Sequence, residues 1–213
     1  MRMLNYSILG ITMMVVSAAF GQSKTLSTAE VVTLKEKVAA NTQTLQSLVS
    51  DFTQTKHLDY MEHDIKSTGK LYFRSPSKIR WEYTDPTTYV VVFDKQKMHL
   101  YDGNAKKDID LTTNRRLKGL NDILIGTVQG GNIFDESRFN ISYHRDGTGY
   151  SAILIPKDKA IAKYIKQVEL AFDTSTYLVK RVKITDPTLD YTLIKFENQR
   201  RNTAVSDDKF VIK

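Results

Sequence analysis

The sequence predicts a mainly β chain of the α+β class: a curved antiparallel sheet of roughly ten or more strands, rolled into an unclosed barrel, with a helical lid enclosing an apolar cavity. Three observations carry that reading. Ten short segments at 69–74, 78–83, 89–94, 97–101, 106–111, 139–145, 150–156, 163–172, 177–185 and 190–198 read as strands, separated by turn signals such as Pro76, Asp85-Pro86 and Asp102-Gly103. Helical periodicity is confined to one stretch at the front and one in the middle, too little helix to cover a flat sheet of that size on both faces. Finally, 41% hydrophobic and 26% charged residues over 213 positions suit a single large globular domain and exclude a disordered or polytopic membrane chain.

Taken in order, residues 1–21 read as a cleavable signal peptide: Arg2 supplies the basic start, 8–20 run uncharged and mostly apolar, and Ala18, Ala19 and Gly21 are small. At about 1.5 Å per residue that apolar run falls short of a bilayer core of about 30 Å, so a permanent anchor is the weaker reading. The mature chain, 22–213, is then one domain outside the cytoplasm. From Leu26 to Phe52 the apolar positions Val31, Leu34, Val38, Leu45, Leu48 and Phe52 fall close to a 3.6-residue period, predicting one amphipathic helix with Ser27 or Thr28 as N-cap and Asn41 as a candidate kink. The strands of 69–111 follow. The alternation lapses over 113–136, where Leu117, Leu120, Ile123, Leu124 and Val128 predict short helices broken at Gly126 and Gly130-Gly131. The second set of hairpins resumes at 139 and continues the same sheet. On the strand 78–83 the two-residue period puts Ile79, Trp81 and Tyr83 on one face, where they are core or cavity lining.

Chemistry is sparse. The absence of cysteine excludes disulfides, a thiolate metal site, a Cys nucleophile and a lipid-bearing N-terminal Cys. Residues 147–152 (GTGYSA) match a dinucleotide fingerprint only superficially, because a strand follows where the phosphate site needs a helix N-terminus. Residues 67–70 (STGK) lack the leading glycine and trailing hydroxyl of a phosphate loop, and there is no Gly-x-Ser-x-Gly elbow. His57, Asp59, Glu62, His63 and Asp64 offer metal-ligand and acid/base groups, but nothing holds them on one face, and a solvated polar loop is the plainer reading. His99 and His144 stand alone in strands. Arg115-Arg116 and Arg200-Arg201 read as solvated basic pairs. A net charge of +7 favours acidic partners such as anionic lipid, and secretion argues against nucleic acid.

Residues 48–56 (LVSDFTQTK) and 69–83 (GKLYFRSPSKIRWEY), followed by Asp85-Pro86 and the strand pair over 90–101, resemble the LolA family of outer-membrane lipoprotein carriers. Phe52-x-Gln54, Gly69-x-Leu71-x-Phe73, Pro76 and Arg80-Trp81-x-Tyr83 stand in that family's order, with looser similarity through 165–172, 191–196, Asn202 and Phe210. The resemblance implies a soluble, monomeric periplasmic carrier that accepts acylated lipoproteins from an inner-membrane ATP-driven releasing complex and hands them to an outer-membrane acceptor. It implies no enzyme activity, cofactor, metal or nucleic acid. Leu71, Phe73, Ile79, Trp81 and Tyr83 would line the acyl-chain cavity. Leu45, Leu48 and Phe52, with Leu120, Ile123 and Leu124, would supply the apolar helix and lid contacts. The family carries an arginine directly before the proline matching Pro76, where its guanidinium bonds lid backbone; here that position is Ser75, preceded by Arg74, and these two are the candidate latch. Side chains alternate along a strand, so Arg74 and Arg80 are expected to point away from the cavity. The chain ends at Lys213, where better-known members continue into a segment connected with targeting. The alternatives are a sensor or binder of another amphiphile on the same fold, without transfer, and a hydrolase using the 57–64 cluster.

Overall fold

The computed structural model describes residues 24–94, 96–113, 126, 133–147 and 149–212. The expected signal peptide, and Leu120, Ile123 and Leu124 of the middle segment, lie outside these. Helix α1 (Thr28–Gln43) starts at a capping box: Glu30 N–H donates to Ser27 Oγ at 3.4 Å, and the Glu30 carboxylate accepts from Ser27 N–H at 2.8 Å. Leu34 and Val38 form its buried stripe.

The expectation of one helix through Phe52 is corrected here. Helix α1 stops at Gln43, and Ser47–His57 is strand β1, so Leu48 and Phe52 are strand residues and Leu45 belongs to the intervening turn. Leu48 and Phe52 are four apart, a spacing that serves one face of a helix and, being even, one face of a strand equally well. The decision falls to tertiary pairing and to the β-branched Val49, Thr53 and Thr55. Strand β1 pairs along ten residues with β2 (Ile65–Arg74), from Ser47↔Arg74 to Lys56↔Ile65. On its other side it pairs with β11 (Tyr191–Arg201).

The remaining strands are β3 (Lys78–Asp85), β4 (Tyr89–Asp94), β5 (Lys97–Tyr101), β6 (Lys106–Asp110), β7 (Phe139–Asp146), β8 (Gly149–Pro156), β9 (Gln167–Phe172) and β10 (Val179–Thr185). The sheet has eleven antiparallel strands in the order β6-β5-β4-β3-β2-β1-β11-β10-β9-β8-β7. Two meanders of consecutive hairpins therefore meet only at β1–β11, and the curled sheet ends in two edges: an open barrel. Hairpin turns need only local residues, which is why these strands could be read in advance. Gly147, at φ 59°, makes the β7–β8 turn, so 147–152 is a hairpin and no phosphate cradle. The segment read as a strand from 163 starts only at Gln167. Before it, Asp158 caps the four-residue helix α2 (Lys159–Ala162), accepting from Ala160 N–H at 2.7 Å.

Both edges are guarded. Residues 24–26 run along β7, with Leu26 N–H donating to Tyr143 O at 3.0 Å and Arg145 N–H to Lys24 O at 2.7 Å. Edge strand β6 carries Lys106 and Lys107, which discourage further strand addition. One continuous apolar core lies on the inner side of the sheet, under α1. The chain after β11 turns to the outer side, where Phe210 of the 3-10 turn Asp207–Phe210 packs on Val90 and Val92 of β4.

Candidate functional site

Antiparallel pairing sets alternate residues of neighbouring strands in rows across the inner face. The deepest row is Leu48, Phe73, Ile79, Phe93 and Met98; the next is Ser50, Leu71, Trp81, Val91 and Leu100; the third is Phe52, Gly69, Tyr83 and Tyr89. Four of the five expected lining residues, Leu71, Phe73, Ile79 and Trp81, are thus buried side by side, with Ile79 0% exposed. Tyr83 is only half-buried, one row nearer the rim. Leu48 and Phe52 join them from β1, and Leu45 packs into the same core from the α1–β1 turn. Leu34 and Val38 of α1 face this core, as do Leu111 and Ile133 on either side of the middle segment.

Gly69 is the hinge of the third row. A Cβ there would collide with the Glu82 carbonyl oxygen and stand 2.6 Å from Phe52 Cζ, so only glycine lets the Phe52 ring lie across β2. That ring packs against Trp81 at 4.6 Å and meets Tyr83 edge-on at 5.2 Å and 85°, while Trp81 meets Phe196 of β11 at 5.9 Å. The Tyr83 hydroxyl donates to Gln54 Oε1 at 3.0 Å. Burial pushes the Tyr83 phenol above its ordinary pKa, against the opposing pull of the Trp81 and Gln54 side chains. The inner face therefore grades from wholly apolar in depth to hydrogen-bonding near the rim.

Of the two candidate latch residues, Arg74 points away from α1, as strand alternation predicts. On the outer side it donates to Val205 O at 3.1 Å, pairs with Asp207, and lies over the Phe210 ring at 5.2 Å. Arg80 donates to Lys209 O at 3.1 Å on the same side. Both hold the C-terminal segment. Ser75 donates its backbone N–H to Gln46 O at 2.8 Å, next to the α1–β1 turn. Helix α1 is instead gripped by Arg201 from the end of β11, whose guanidinium donates to Asn41 Oδ1 at 2.8 Å, Asn41 O at 3.0 Å and Thr44 Oγ1 at 3.2 Å. A cation there also faces the negative end of the helix. Asn202 adds a bond from its side-chain amide to Thr44 O at 3.1 Å and accepts from Gln46 N–H at 2.8 Å. At the other end of α1, Glu30 pairs with Arg145, and its carboxyl is held down to about 2, first by the Ser27 backbone N–H and then by Arg145. Sequence reasoning took Arg201 for a solvated basic residue; its partners lie 157 to 160 positions away.

The 57–64 cluster forms the β1–β2 turn. His57 Nδ1 lies 2.8 Å from Asp64 Oδ1 and its ring stacks on Tyr191 at 4.8 Å, and among the described residues no group of three His, Cys, Asp or Glu side chains is arranged to hold a metal.

Comparison with known proteins follows the same line. A family model described as outer membrane lipoprotein carrier protein LolA matches residues 43–213. An outer-membrane lipoprotein carrier protein of Cupriavidus taiwanensis is 27% identical over 189 residues, covering 81% of this chain and 83% of that one. One from Legionella pneumophila (strain Corby) is 24% identical over 149 residues, covering 68% and 69%. Among solved structures, MucB superposes with a TM-score of 0.54 at 14% identity over 88% of this chain, which spans 64% of the MucB chain, a likeness of fold alone.

Proposed function

Since the chain belongs to the LolA family of outer membrane lipoprotein carrier proteins, we propose that it shields the acyl chains of lipoproteins in the periplasm and transfers them from the inner to the outer membrane. The observation that carries this is the inner face itself: rows of mainly apolar side chains on a curled sheet, covered by a helix tied down through polar contacts at its two ends. Leu71, Phe73, Ile79 and Trp81 are the acyl-binding surface, with Leu48 and Phe52 beside them and Tyr83 at the mouth.

The energetics are favourable for such a role. One acyl chain of about 15 methylenes, at about 0.8 kcal/mol each, gains about 12 kcal/mol on leaving water, and three chains about 36 kcal/mol. The apolar side chains with which α1 closes the core are Val31, Leu34 and Val38. At about 1.5–3 kcal/mol apiece they contribute about 5–9 kcal/mol. A single acyl chain can therefore displace the helix, and the helix can return when a receiving surface takes the chain. No bond is made or broken, so the role needs no enzyme chemistry, metal or cofactor. Arg201 is the latch in this scheme, because its bonds to Asn41 and Thr44 must break for the C-terminal end of α1 to lift. The acylated lipoprotein is the partner; an inner-membrane releasing complex supplies it, and an outer-membrane acceptor takes it.

Native mass spectrometry of the protein isolated from periplasm tests the proposal. Acylated polypeptide bound one-to-one, and passed on to an acceptor, is expected. Free lipid alone, with no acylated polypeptide, would replace the carrier reading with that of an amphiphile binder.

A further inference from the structure

Trp81 is the single tryptophan of the chain, and its side chain is 5% exposed. Its indole nitrogen is buried on the inner face without a well-formed hydrogen bond, although the Tyr83 side chain lies near enough to interact with it. The Tyr143 hydroxyl of the same core is also left without a well-formed hydrogen bond, but at position 81 a phenylalanine would fill the space between Phe52 and Phe196 with no orphaned N–H. The position is also particular: it lies in the row between the wholly apolar Ile79 row and the Tyr83 row, where the Tyr83 hydroxyl and Gln54 amide begin the polar mouth. With Gln54 Oε1 accepting from Tyr83, the amide N–H groups of Gln54 are a second set of donors on the same side of the sheet.

We propose that Trp81 Nε1–H, supported by the Gln54 amide, is a subsite for the carbonyl oxygen at the head of an acyl chain. The inference rests on the carrier reading above and adds to it a fixed depth for the ligand: hydrocarbon against Ile79 and Phe73, carbonyl at Trp81. A single neutral donor flanked by Leu71, Val91 and aromatic rings matches a neutral acceptor. A carboxylate or phosphate would lose its hydration there, and the described side chains paired with or packed on Trp81 (Leu71, Val91, Phe52 and Phe196) carry no charge to replace it. Acyl carbonyls occur as glycerol esters and as N-acyl amides. Both present a carbonyl oxygen that accepts one N–H, whereas an ether-linked chain of equal length presents only the weaker ether oxygen.

The test uses three probes with the same twelve-carbon chain: a methyl ester, an N-methyl amide and a methyl ether. With one tryptophan, the ¹H–¹⁵N spectrum holds one indole cross-peak. That proton is expected to move downfield with the ester, the amide or both, and by clearly less with the ether. The carbonyl probes should bind about three- to tenfold more tightly than the ether, tenfold corresponding to about 1.4 kcal/mol. Trp81→Phe should bring the three affinities within twofold of one another, whatever it does to their common level, because a merely structural role would move all three alike and keep the carbonyl preference. Gln54→Leu should reduce the preference less. A shift with the ester alone would assign the subsite to glycerol esters, and with the amide alone to the N-acyl group. Equal affinities and equal peak shifts for all three probes, or a carbonyl preference that survives in Trp81→Phe, would overturn the subsite and leave the carrier reading standing. Failure of every probe to bind would overturn both.

Discussion

Replacing Gly69 by alanine adds one methyl group at the place where β2 lets an aromatic ring cross it. The new carbon would meet two neighbours, the Phe52 ring at 2.6 Å and the Glu82 carbonyl oxygen of the paired strand. The ring can tilt, but the carbonyl oxygen belongs to the β2–β3 ladder and cannot move without parting the strands. Overpacking a well-filled core costs about 1–3 kcal/mol, and a backbone obstacle puts this site near the top of that range, at about 3 kcal/mol. The usual gain from replacing glycine, about 0.4–1 kcal/mol through a less flexible unfolded chain, offsets a fraction of it. For a domain of this size each kcal/mol shifts Tm by about 2–4 °C, so calorimetry should show a fall of about 4–10 °C. Combining Gly69→Ala with Phe52→Leu separates the two obstacles. The double variant should recover less than half of the Gly69→Ala loss, measured against Phe52→Leu alone, because the Glu82 oxygen remains. A Tm change within 2 °C for Gly69→Ala, or full recovery in the double variant, would show that the strands are not as close as argued.

Further outcomes are expected elsewhere. Ile79→Glu places a carboxyl in the deepest row, at a cost of several kcal/mol unless it protonates, so binding of an apolar dye should drop at least about tenfold while far-UV circular dichroism keeps its β signature; unchanged dye affinity would mean that Ile79 does not face ligand. Arg201→Ala removes charged hydrogen bonds worth about 1.5–3 kcal/mol, so the C-terminal amides of α1 should exchange at least about tenfold faster with deuterium. Arg74→Ala should leave α1 exchange unchanged and loosen residues 205–210, and Ser75→Arg, which places an arginine directly before Pro76, should slow release of cargo; the reverse ranking of Arg74 and Arg201 would return the latch to Arg74. Asp207 is held down to about 2, chiefly by Arg74 and then Lys78, and Glu30 likewise to about 2. Each favours the folded contacts above the ordinary carboxyl range near 4 and loses that contribution as pH falls toward 2, so the C-terminal segment and the α1 cap should loosen over that interval. A carboxyl-carbon titration of Asp207 with its midpoint near 4 would refute the pairing.

How much of this was legible beforehand depends on the range over which each feature is decided. Hairpins are local, and the boundaries of β4 and β5 were readable to the residue from Asp85-Pro86, Asp102-Gly103 and two-residue alternation. The same alternation placed Ile79 and Trp81 together inside and turned Arg74 and Arg80 outward, since parity along a strand needs no knowledge of its neighbours. Motif order carried the family. By contrast, Leu48 and Phe52 suit helix and strand alike, and only pairing with β2 and β11, the second of which is some 140 residues away in sequence, made their segment the central strand. The reason for Gly69 appears only when β1 and β3 flank it, because its constraint is the space left between Phe52 and a neighbouring carbonyl. Arg201 looked like surface charge because nothing near it in sequence accepts its protons; the fold brings Asn41 and Thr44 to it. Periodicity and turn chemistry thus determined the hairpin strands other than β1, and their faces, by themselves, because those depend on a few adjacent residues. Which strand is central, what holds the helix shut and where a buried donor is left waiting were decided by the tertiary structure, because each depends on contacts between residues that the sequence keeps far apart.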